Sequence, residues 1–307
     1  MRYHQTAMVK LGVALTAATV AMLVAEFLRH RSRAFPLYGW MGLAALLGFE
    51  WLMFRKIEPV ATYFTPLAWT CYILIADAAV FSINGRSRLQ QAPRELVRIA
   101  LLSLPLWLIF EAYNLRLRNW TYVGLPLNLP ARWLGYGWSF MTIIPAIFVT
   151  TDLIRAFGWF REARPVKFSL RAHRAMMTAG ALLLMVPAIL PREIGAYLFA
   201  LIWLGFVFLL DPANYRLRLP SLLGDLELGR RDRLYGLLIS GWVCGILWEF
   251  WNYWAAAKWL YIFPIFQQWK IFEMPAPGFL GFPPFALECF AMYVFAARWL
   301  GWLKPSV

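Results

Sequence analysis

The chain has 307 residues, of which 61% are hydrophobic, 18% aromatic and only 15% charged. A soluble domain of this length needs more polar surface than that composition provides, which excludes water as its solvent. The formal net charge of +14 falls mostly in short segments between long apolar runs, a pattern of membrane topology rather than of nucleic-acid binding.

Nine apolar runs, each near the roughly 20 residues that cross a hydrocarbon core, follow one another along the chain. In lipid each must satisfy its own backbone, so each is expected to be a helix. The expected spans are approximately 8–28, 36–54, 62–83, 97–115, 134–156, 175–191, 193–213, 234–254 and 283–303. The first has the position of a secretory signal but lacks a small-x-small cleavage site and runs into Arg29, His30, Arg31 and Arg33, so it is read as a span. Pro191, Arg192 and Glu193 supply a tight hairpin between the sixth and seventh. Cys71, Cys244 and Cys289 lie in or beside apolar runs without paired spacing, which indicates neither a disulfide framework nor a cysteine metal site.

Alternate loops differ in basic content. One set carries Arg29, Arg31 and Arg33, then Arg86 to Arg98, Arg155 to Arg174 and Arg216 to Arg233; the other is poorer. The positive-inside rule then places the first set in the cytoplasm, the N-terminus outside and the C-terminus inside, in what is expected to be the cytoplasmic membrane. Anionic lipids are the expected contact of the basic face.

The sequence also matches itself. Trp69 and Asp77 return as Trp203 and Asp211, each pair followed by an arginine-rich loop. Glu111, Asn114, Trp120 and Tyr122 (FEAYNLRLRNWTY) return as Glu249, Asn252, Trp259 and Tyr261 (WEFWNYWAAAKWLY), with one inserted residue. Because four helices separate the copies, both have the same orientation. The expected fold is therefore an all-α polytopic membrane protein. It comprises an N-terminal helix with its basic loop (1–35), a four-helix repeat (36–156), a basic loop (157–174), a parallel second repeat (175–303) and a short tail (304–307).

Glu and Asn three residues apart share a helix face, so Glu111 with Asn114, and Glu249 with Asn252, each present a carboxyl and an amide to one neighbour. Glu50 and Glu288 are expected at a similar depth, with Glu273 in the loop above. A charged group in hydrocarbon costs at least about 2.5 kcal/mol, so such carboxyls face a cavity or a partner. Ion pairing with Arg55, Lys56, Arg116, Arg118, Lys258 or Lys270 is the competing expectation, and Asp77, Asp152 and Asp211 are expected to end their helices beside arginines. Trp120, Tyr122, Trp133, Tyr136, Trp259, Tyr261 and Trp269 fit an interfacial aromatic belt. The Pro- and Gly-rich loops that carry them are expected to lid a pocket between the repeats. Buried carboxyls beside aromatic faces suit acid-initiated chemistry, because aromatic rings stabilise a developing cation.

With duplicated helix-borne carboxyls, WEFWNY at Glu249 and FEMP at Glu273, the chain resembles the integral-membrane isoprenoid cyclases and hydratases. These are the lycopene-cyclase-type carotenoid enzymes and the fungal meroterpenoid terpene cyclases. The resemblance implies that Glu249 or Glu111 protonates an alkene or epoxide, with the other carboxyl as partner. It also implies a membrane-dissolved isoprenoid or other lipid as substrate; Trp120, Tyr122, Trp259 and Tyr261, which flank the carboxyl layer, and Glu273 in the loop above are its expected contacts. No Walker A, H-E-x-x-H or G-x-S-x-G sequence occurs, and His4, His30 and His173 lie outside the spans, so no cofactor or metal is expected. A proton-coupled carrier and a non-catalytic subunit of a membrane complex are the rival readings; no oligomeric state is legible.

Overall fold

The computed structural model describes residues 2–160 and 164–304, with side chains from residue 6 onward. Parts of the expected basic loop (161–163) and of the tail (305–307) lie outside the described residues. The described residues hold nine helices long and apolar enough to cross a membrane, and the chain is an all-α polytopic membrane protein.

In order, α1 (Arg2–His30), α2 (Leu37–Phe54) and α3 (Phe64–Asn84) are followed by a short helix α4 (Arg88–Gln91), then α5 (Pro93–Leu117) and α6 (Leu129–Ala156). Between α5 and α6 runs a strand, β1 (Trp120–Val123). The second half contains α7 (Leu170–Ile189), a single helical turn α8 (Arg192–Gly195), α9 (Phe199–Arg216), the short α10 (Leu222–Glu227) and α11 (Asp232–Trp254). It ends with strands β2 (Lys258–Tyr261), β3 (Lys270–Ile271) and β4 (Met274–Pro275), a 3-10 stretch over Ala276–Gly281 and α12 (Phe282–Trp299).

The helix ends follow local chemistry. Asn128, Ser169 and Ser221 accept hydrogen bonds from the backbone N–H groups of Ala131, Ala172 and Gly224, capping α6, α7 and α10. Pro191 does part the sixth and seventh spans, but through extended backbone at Leu190 and Pro191 and then a turn of helix. The strands are a departure from the expected irregular loops. Trp, Thr, Tyr and Val suit a pleated surface, and Trp120 to Val123 pair antiparallel with Lys258 to Tyr261 from the other half of the chain.

Four helices form the centre. The apolar windows of α3, α6, α11 and α12 are 61–72% buried, against at most 28% for the other five spans, whose apolar faces are left for lipid. Two central helices come from each half. Prolines inside spans are absorbed without a break: beside Pro145, the buried Ser103 hydroxyl of α5 donates to Phe140 O (2.5 Å) and accepts from Ile144 N (3.1 Å), bridging the weakened ladder of α6.

The matched sequence stretches adopt matched local structure. Asn114 Nδ2 donates to Trp120 O (3.0 Å) and its Oδ1 accepts from Trp120 N (3.0 Å) and Asn119 N (2.8 Å). Asn252 does the same to Trp259 O (2.9 Å) and Trp259 N (3.0 Å). Pairing then sets Trp120 opposite Tyr261 and Tyr122 opposite Trp259, an arrangement unchanged when the two strands are exchanged. At the other ends of the spans, Asp77 accepts from Leu89 N (3.0 Å), Ser87 Oγ (2.7 Å) and Tyr38 Oη (2.8 Å), and Asp211 from Leu222 N (2.7 Å) and Leu223 N (3.0 Å). The expected arginine partners are corrected accordingly: both aspartates hold short helices by their backbone, and among the described residues Asp152 alone of the three forms an ion pair, with Arg88.

Candidate functional site

The site is built at the side of the bundle where α5 and α11 end. Each helix carries its Glu one turn before its Asn, and each Asn fixes the chain that follows, so the next Tyr returns over its own Glu. Tyr122 Oη donates to Glu111 Oε1 (2.5 Å), and Tyr261 Oη to Glu249 Oε1 (3.2 Å). The pairs differ in detail. Glu111 is half-buried and its Oε1 also accepts from the indoles of Trp107 (2.9 Å) and Trp120 (3.2 Å). Glu249 is fully buried, and among the described residues its second oxygen has no hydrogen-bond partner.

In front of these pairs lies a cavity of about 140 Å³ within some 1200 Å³ of atom-free space that includes its mouth. Its walls come from both halves of the chain and from both loops, and include Trp69, Trp107, Trp120, Trp203, Trp248 and Trp259. Tyr122 and Tyr261 line it, whereas Glu111, Glu249, Glu288 and Glu50 do not. The carboxyls therefore stand behind an aromatic wall, one hydroxyl away from the cavity. Burial, and then the adjoining carboxyl, push the Tyr122 and Tyr261 hydroxyls well above the ordinary tyrosine range.

The remaining expected site residues have other partners. Glu50 accepts from Trp251 Nε1 (3.0 Å), linking α2 to α11. Glu288 is fully buried in α12, and accepts from Phe206 N (3.0 Å) in α9. Glu273 pairs with Lys258 (2.7 Å), which lines the cavity. Among the described residues none of Glu50, Glu111, Glu249 and Glu288 forms an ion pair, and of the six basic residues weighed as partners only Lys258 has one. Asn114 and Asn252 are engaged with backbone and do not reach the cavity. Trp133 and Trp269 are 71% and 50% exposed, as befits belt residues, whereas Tyr136 turns inward to line the cavity.

Several wall residues escape a reading of the sequence alone. Trp107 is one helical turn before Glu111, a spacing that marks it in retrospect. Arg132 is the isolated cation of NWTYVGLPLNLPARW, and Phe282 and Phe285 stand at the start of α12. No signal in an aromatic-rich chain separates these from lipid-facing rings.

The fold and the site together define an integral membrane protein with an aromatic-walled cavity backed by two carboxyl–tyrosine pairs. Comparison with protein-family models, with curated proteins and with solved structures finds no match to the chain.

Proposed function

We propose that the protein is a membrane enzyme that starts acid-initiated chemistry, a cyclisation or hydration, on a membrane-dissolved isoprenoid or other lipid. One observation carries this reading: a carboxyl–tyrosine pair from each half of the chain backs onto the same aromatic cavity. In this reading Glu249, in its acid form, passes its proton to Tyr261 Oη as that hydroxyl gives its own to an alkene or epoxide, and the carboxylate regains a proton when the cation sheds one or is captured by water, while Glu111, Trp107, Trp120 and Tyr122 fix the opposite wall. The indole and phenyl faces stabilise the cation that forms, and the aromatic wall limits the water that reaches the cation before it has rearranged. Spans that run unbroken past Pro105 and Pro145 favour a fixed pocket over the discontinuous helices of a carrier.

The test is lipid and pigment profiling by mass spectrometry of cells that express the wild type, Glu111→Gln or Glu249→Gln at matched abundance. A hydrophobic product made by the wild type is expected to fall by about two orders of magnitude or more in Glu249→Gln. Identical profiles in the presence of isoprenoid precursors would sink the proposal.

A further inference from the structure

The cavity wall contains two cations, Arg132 and Lys258, and no carboxylate. Lys258 is already neutralised by Glu273 at 2.7 Å. Arg132 is not: its Nε donates to Pro126 O (2.9 Å), and among the described residues no acid pairs with it. Its place is also unfavourable for the helix that bears it. Arg132 belongs to the first turn of α6 (Leu129–Ala156), where the helix already presents partial positive charge, and that turn is held in place by Tyr63, whose hydroxyl donates to Ala131 O (3.0 Å). Guanidinium and helix end thus reinforce each other at a half-buried point of the wall.

We infer that the ligand is an amphiphile whose anionic head group is bound by Arg132, with its hydrocarbon chain among the indole rings. A planar guanidinium matches a phosphate or carboxylate through paired N–H donors, and the partly desolvated setting strengthens the interaction. Lys258 supplies a second positive edge once an anion competes with Glu273 for it. The inference rests on the cavity being the ligand site of the proposed function, and it narrows the substrate class from neutral hydrocarbons to acidic lipids.

The six cavity tryptophans report binding directly. The protein in phosphatidylcholine nanodiscs is titrated with farnesyl phosphate and with farnesol, and separately with palmitate and with hexadecanol, while tryptophan emission is followed. Farnesyl phosphate is expected to bind about tenfold or more tightly than farnesol, the preference shrinking as salt rises. Arg132→Gln should abolish the preference and leave farnesol binding intact; Arg132→Lys should retain part of it. The palmitate pair identifies the head group: a matching preference shows that any anion is read, and a preference confined to farnesyl phosphate shows that phosphate is required. Equal affinity for phosphate and alcohol in the wild type overturns the inference and leaves the cavity a neutral hydrophobic site. A preference that persists in Arg132→Gln overturns the role of Arg132. Absence of any binding overturns both the inference and the ligand-site reading. The salt dependence of the wild type needs no variant, so a poorly folding Arg132→Gln does not blunt the test.

Discussion

Two tyrosines decide what the carboxyls of this protein can do. Tyr122 and Tyr261 join Glu111 and Glu249 to the cavity, Tyr122 beside the Trp107 and Trp120 indoles that also reach Glu111, and burial holds both hydroxyls protonated far beyond the ordinary range. The consequence for stability has a definite sign. An unfolded tyrosine ionises near pH 10, whereas these two stay neutral when folded. Their contribution is fully present below about pH 10 and is lost as the pH rises toward the folded values, each adding about 1.4 kcal/mol per pH unit to the slope. The unfolding temperature in detergent should therefore fall above about pH 10, and the fall should be shallower in the Tyr122→Phe/Tyr261→Phe double variant. A wild-type profile that stays flat to pH 11 or so would contradict the burial of these hydroxyls.

At the scale of elements, the wall depends on short segments held against helices. β1 and β2 are fixed by Asn114 and Asn252, and Lys270 Nζ donates to Tyr261 O (2.9 Å) from β3. Close backbone approach matters as much. A Cβ on Gly124, at φ +67°, would lie 2.1 Å from Ala256 O, so glycine is what lets the first loop turn beneath the second. Just before α12, a Cβ on Gly281 would come within 1.5 Å of the Trp203 ring, which lines the cavity. Gly281→Ala is expected to drive that indole into the cavity and weaken binding of a hydrophobic ligand about tenfold, with a loss of stability of about 1–3 kcal/mol. Farnesol titration and thermal unfolding of this variant measure both; unchanged affinity would show that the indole does not bound the site. Of these elements, the spans were legible from hydropathy, and the E-x-x-N...W-x-Y match marked the site. Pairing of WTYV with KWLY was not legible, because each strand is four residues long and its partner lies more than a hundred residues away.

For the molecule as a whole, α3, α6, α11 and α12 form a core that neither half makes alone, and α1, α2, α5, α7 and α9 face outward. The arginine-rich loops lie at one side of this bundle and the cavity loops at the other. The charge asymmetry predicts that the arginine-rich side is cytoplasmic. Cys71, Cys244 and Cys289 are buried, so new surface cysteines can report topology. Lys167→Cys should react with a membrane-impermeant maleimide only after the membrane is opened. Leu127→Cys, where the native residue is 93% exposed on the cavity side, should react in intact cells. The reverse pattern would invert the proposed orientation.

The sequence by itself determined the solvent, the nine spans, the basic asymmetry and the duplicated Glu, Asn, Trp and Tyr positions. Each of these is written in local composition or in a direct repeat, and lipid leaves a long apolar run little choice but a helix. Only the tertiary structure decided that Glu111 and Glu249 stand behind Tyr122 and Tyr261 rather than in the cavity. It alone separated Tyr136, in the wall, from Trp133, outside it, and left Arg132 as the wall cation without an acid among the described residues. These outcomes turn on which rings meet across two halves of the chain, and the apolar character that drives every ring from water does not specify its neighbours.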